Sequence, residues 1–129
     1  MNKWLLVSRL LVYGYTTYAA IFMLWAFFAA YALARGPAPR ITSWAATAIV
    51  VFLAAALIRP SSFKAAVGIG LLWSSMHVAL DALYVIPAAG VWAFSTYNVW
   101  INYALVFFAT LAAFLFQHVG SSHDETVMP

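Results

Sequence analysis

His77 and Asp81 stand four residues apart in WSSMHVALDALYVIP, residues 73–87, a segment otherwise apolar enough to cross a membrane. An imidazole and a carboxylate at that spacing can hold a ligand, carry a proton or tie neighbouring helices together. On a helix, residues i and i+4 lie one above the other on the same face, and Trp73 extends that stripe by another turn. An ionised carboxylate at membrane depth costs roughly 2.5–3.5 kcal/mol on the insertion scale, so an intramembrane acid is a functional-site candidate by default.

The next apolar segment supplies partners. It brings Asn98 and Asn102, again four apart, with Tyr103 beside the latter. If the segment holding His77 ends near Ile86, Asp81 lies about 7 Å and His77 about 13 Å below that end, at 1.5 Å per residue. Asn102 then falls at the depth of Asp81, and a hydrogen bond between the two is expected. Thr47 lies at a similar level, and Arg35 has a stem long enough to bend toward Asp81. The candidate ligand- or proton-binding set is therefore His77, Asp81, Asn102, Trp73, Thr47 and Arg35. Tyr13, Tyr15 and Tyr18, with Thr16 and Thr17, form a second polar patch, expected in the inner half of the first segment and packed mainly against lipid.

Catalysis is poorly supplied. Cysteine is absent, which removes thiolate nucleophiles and Cys-ligated metals. His77 and Asp81 are two ligands at one level, fewer than a metal site wants, and His118 belongs to the opposite end, so paired haem ligation is not expected. Ser74 sits one turn from His77, but residues stacked on one helix build no nucleophile elbow or oxyanion hole. No catalytic residue, metal or cofactor is assigned.

The elements that must position these groups follow from composition. Of 129 residues, 67% are hydrophobic and 7% charged, against about 25% charged in soluble domains. Such a chain is built for the lipid bilayer. A helix needs about 20 apolar residues to span the hydrocarbon core, and four segments qualify, at about 10–33, 42–58, 65–86 and 97–118. The fold class is thus an all-α integral membrane protein, a four-transmembrane-helix bundle over residues 1–119 with a polar tail at 120–129. The first apolar run is longer than the 7–15 residues of a signal-peptide core, so it is read as a retained helix. RGPAPR, residues 35–40, reads as a tight turn.

With four spans the two termini and the second loop share a side, holding Lys3, Arg9, Arg59 and Lys64 against Arg35 and Arg40 opposite. Basic residues accumulate on the cytoplasmic side, so both termini are expected inside. Trp4 suits the inner interface, and Trp44, Trp92 and Trp100 the outer. The uncharged loop around Trp92 and Phe94 lies in that outer interface or folds over the bundle as a lid, with Ser95 and Thr96 suited to cap the fourth helix. Small residues four apart, Ala66–Gly70–Ser74, Ala26–Ala30–Ala34 and Ala109–Ala113, mark close helix approaches. The net charge of +3 is dispersed, leaving no footprint for nucleic acid.

The expected function is that of a small multi-pass component working as a homo-oligomer or within a larger membrane complex, with the His77/Asp81 site in its outer half. A proton-linked small-molecule transporter working as a homo-oligomer is the alternative. An intramembrane enzyme on a lipid or isoprenoid is third, since no basic cluster awaits a phosphate. The compact chain with short loops suggests a bacterial inner membrane.

Overall fold

The computed structural model describes residues 2–31 and 35–124, with side chains to residue 121. The four-helix membrane bundle is present: α1 (Lys3–Ala30), α2 (Pro37–Ile58), α3 (Phe63–Tyr84) and α5 (Tyr97–Asp124), with a one-turn helix α4 (Ile86–Ala89) and a 3-10 turn (Val91–Ser95) between the last two. All four long helices carry windows apolar enough to cross a membrane. The expected end of the first span at Leu33, Ala34 of the small-residue row, and the tail beyond residue 124 lie outside the described residues.

The helix starts differ from expectation for local reasons. Asn2 caps α1, its Oδ1 accepting from the Trp4 amide at 3.3 Å, so the helix begins at Lys3 and runs through Arg9 without a break. At 1.5 Å per residue its 28 residues reach about 42 Å, more than the hydrocarbon core requires. RGPAPR is not wholly a turn. Gly36, with φ 89°, reverses the chain, and Pro37 and Pro39 open α2, where a missing amide leaves no helical bond unmade. Ser62 caps α3, accepting from the Ala65 amide at 3.1 Å. That helix stops at Tyr84, two residues before the expected end. Pro87 has no amide to give, and its ring clashes with the carbonyl four residues back, so the helix restarts as the single turn Ile86–Ala89.

Around the bundle, α5 packs on α2 and α3, and α1 packs on the same two, which leaves α1 and α5 facing across the diagonal. The core is a column of Val51, Ala54, Ala55, Ile69, Trp73, Val106, Ala109 and Ala113. Gly70 lets α3 approach α5, since a Cβ there would come within 3.0 Å of the Phe107 ring and 3.3 Å of its carbonyl oxygen. The rows on α3 and α5 thus serve internal contacts, Ala66, Gly70, Ala109 and Ala113 being buried. Ala26 and Ala30 of α1 face outward instead. Leu53, Leu57, Leu71, Phe108 and Phe116 are exposed, the apolar outer surface a lipid-facing bundle requires.

Polar side chains staple the pairs. Arg40 donates to the Tyr97 hydroxyl at 2.9 Å and Trp44 Nε1 to Asn98 Oδ1 at 2.6 Å, joining α2 to α5 at one end. Gln117 Nε2 reaches the Ala56 carbonyl at 2.8 Å near the other. Ser74 donates to the Tyr103 carbonyl at 3.1 Å, joining α3 to α5.

Candidate ligand-binding site

Asp81 is the sole acidic residue within the four spans. Its carboxylate lies between α1 and α5. Tyr18 of α1 donates to Oδ1 at 2.8 Å, and Tyr103 of α5 donates to Oδ2 at 2.5 Å. Both oxygens therefore act as acceptors, the role of a carboxylate. The expected Asp81–Asn102 bond is replaced by these two. Asn102 turns to α2, where the Thr47 hydroxyl lies 3.1 Å from its Oδ1 and 2.8 Å from the Ser43 carbonyl.

His77 shares the face of Asp81 but bonds elsewhere. It is 4% exposed, and its Nε2 lies 3.3 Å from the Thr17 hydroxyl. That hydroxyl donates to the Gly14 carbonyl at 2.8 Å, so the Thr17 oxygen is left to accept from His77 Nε2–H. The imidazole also meets the Tyr18 ring edge-on, with centroids 5.3 Å apart. Thr17 and Tyr18 thus belong to the site. The expectation that they form a separate inner patch against lipid is corrected: α1 begins seven residues earlier than expected, and Tyr18 is buried at 6% exposure.

Asp81, His77 and Tyr18 line a cavity of about 440 Å³, with Thr17 behind His77. That lies within the roughly 300–1,000 Å³ typical of small-molecule sites. Its polar wall holds Asp81, His77, Tyr18, Tyr103, Thr47 and Asn102, and its apolar wall includes Ile21, Phe22, Trp25, Val85 and Val99. Trp92, Ala93 and Thr96 border it from the α4–α5 connection. That connection therefore contributes to the site, although Trp92 itself is 66% exposed. Ser95 and Thr96 do not act as expected: their hydroxyls donate back to the Trp92 and Ala93 carbonyls, at 2.5 and 3.0 Å.

Two further expected members fall outside the cavity. Arg35 is exposed in the α1–α2 connection and does not line it. Arg40 does, because α2 begins at Pro37 and carries residue 40 to the rim beside α5. Trp73 lies one turn below His77, fully buried, its Nε1 donating to the Leu10 carbonyl at 2.9 Å. Val51, Trp73 and Val106 each sit one turn below Thr47, His77 and Asn102, and all three are fully buried. They form a packed layer one turn below the cavity-lining residues.

Of the six expected residues the cavity gathers His77, Asp81, Asn102 and Thr47. It adds Tyr18, Tyr103 and Arg40. Gly14 was the available signal for α1: a Cβ there would lie 2.8 Å from the Trp73 ring. A glycine within an apolar helix marks such close approach, and Thr17 and Tyr18 are its i+3 and i+4 neighbours on the same face. Comparison with protein-family models, with curated proteins and with solved structures finds no match, so the geometry of the site itself carries the functional reading.

Proposed function

We propose that this chain is a small-molecule-binding component of a membrane assembly, receiving its ligand in the cavity at the end of the bundle that holds Arg40 and Trp92. One observation carries the reading: the sole acid of the spans faces a ligand-sized cavity instead of being sealed between helices. A carboxylate serving only as a helix clamp gains nothing from an adjoining void, because empty space forfeits packing contacts. Assembly with further copies or another subunit is supported by the small-residue face of α1, where Ala26 and Ala30 are left outward. Both termini then lie in the cytoplasm of a bacterial inner membrane, with Lys3, Arg59 and Lys64 at that face.

A proton-linked transporter working as a homo-oligomer is the second reading. A cavity of about 410 Å³ at the opposite end, lined by Leu6, Leu10, Arg59 and Ile69 among others, supports it. The Val51–Trp73–Val106 layer separates the two in this conformation.

Because the chain has no cysteine, single-cysteine variants report access without background. Asn102→Cys is expected to react with a membrane-impermeant methanethiosulfonate applied from the outer side of proteoliposomes, while lipid-facing Leu71→Cys is not. Equal protection of both would remove the aqueous cavity and this function with it.

A further inference from the structure

We propose that the cavity takes an amphipathic organic monocation, its positive group beside Asp81 and its apolar body against Phe22, Trp25 and Trp92. The proposal rests on the reading of the cavity as a binding site and names the chemistry of its ligand.

Charge favours a cation. Among the described residues the groups bonded to the Asp81 side chain are the neutral Tyr18 and Tyr103 hydroxyls, which orient the carboxyl group and bring no positive charge to it. Arg40, the arginine on the cavity wall, donates to the Tyr97 hydroxyl and lies 5.7 Å over that ring. Its guanidinium is held at the rim. Tyr97 precedes Tyr103 by six residues, about 9 Å along the helix axis, so Arg40 is anchored well above the carboxylate. Asp81 is half-buried and lines the cavity, and among the described residues only neutral hydroxyls bond its carboxyl group, so a bound cation supplies the opposite charge.

Acceptor capacity points the same way. A carboxylate offers about four lone-pair sites, and the two tyrosines occupy one on each oxygen. Asp81 lines the cavity, so a ligand there can take the rest. The wall favours a cation as well. Tyr18, Phe22, Trp25 and Trp92 present aromatic rings, whose faces attract cations and whose area shelters an apolar body. A neutral ligand would leave Asp81 uncompensated, and an anion would meet it with like charge.

The test uses the full chain in phosphatidylcholine nanodiscs, whose surface carries no net charge to collect cations. The probes are benzyltrimethylammonium, its neutral isostere neopentylbenzene and the anion phenylacetate, with binding read from tryptophan fluorescence. The cation is expected to bind saturably, with affinity falling about 100-fold in Asp81→Asn and about tenfold in Trp25→Ala. Trp25 stands on the α1 wall and bonds none of the polar groups, so that variant serves even if Asp81→Asn fails to assemble. Neopentylbenzene or phenylacetate binding as tightly as the cation would overturn the charge assignment while leaving the cavity a binding site. Saturable binding by none of the three would remove the binding site itself. Undiminished cation affinity in a folded Asp81→Asn would also overturn the proposal, as would undiminished affinity in Trp25→Ala.

Discussion

Trp73→Ala is expected to destabilise the bundle by about 3 kcal/mol, read from reversible unfolding in mixed detergent micelles. Trp73 is fully buried in the core column beside α1 and donates to the Leu10 carbonyl. Core Trp→Ala replacements cost about 3–5 kcal/mol in water-soluble proteins. The lower end applies here, because lipid already gives the separated helix apolar surroundings. Cavity formation and lost packing then make up the cost. Trp73→Phe keeps most of the ring and loses the N–H donor, for about 1 kcal/mol. Gly14→Ala attacks the same contact from the other side, since its Cβ would lie 2.8 Å from the indole. Overpacking of that kind costs about 1–3 kcal/mol. The two substitutions share the indole contact and should not add: in the Trp73→Ala background, Gly14→Ala is expected to cost less than about 1 kcal/mol, the neighbour left being the flexible Met76 thioether at 3.0 Å. Strict additivity would show that the indole does not fill the space beside Gly14.

Asp81→Asn should separate binding from assembly. The asparagine amide accepts from one tyrosine and donates to the other, so both hydroxyls keep a partner. Stability is expected to stay within about 1 kcal/mol of wild type. Cation binding falls about 100-fold, or about 2.7 kcal/mol. Asp81→Leu behaves differently. It strips the Tyr18 and Tyr103 hydroxyls of their shared acceptor, at about 1–3 kcal/mol for each group left buried and unbonded. A clamp that depends on the carboxylate and takes no ligand predicts instead that Asp81→Asn weakens the bundle well beyond about 1 kcal/mol and that there is no saturable cation binding to lose. Melting in detergent, run beside the fluorescence titration, distinguishes the two.

The elements were legible because composition and apolar run length constrain a membrane chain so tightly. Four helices and the face shared by His77 and Asp81 follow from hydropathy and helical spacing. What escaped was depth. Counting the first span from Leu10 treated Lys3 and Arg9 as a boundary, whereas a helix in lipid continues into the interface with long basic side chains reaching water. Seven added residues shift α1 by about 10 Å, which is what separates Tyr18 as an inner, lipid-facing ring from Tyr18 as a donor to Asp81. The same kind of error exchanged Arg35 for Arg40, because prolines that end one helix also begin the next. Asn102 was placed at a suitable level, yet it bonds Thr47 on α2. Depth alone does not say which neighbour a side chain faces. Trp73 shares the stripe of His77 but belongs to the sealed layer beneath the cavity, since a helix stripe runs through sealed and open layers alike.

On this reading Asp81 meets the ligand directly. The chain has two aspartates, Asp81 and Asp124, so an isotope-labelled aspartate carboxyl gives two magnetic-resonance signals in nanodiscs, and the one missing in Asp81→Asn is assigned. At saturating benzyltrimethylammonium the Asp81 signal is expected to move while that of Asp124 stays in place. An Asp81 signal unchanged while tryptophan fluorescence reports a filled site would contradict the account.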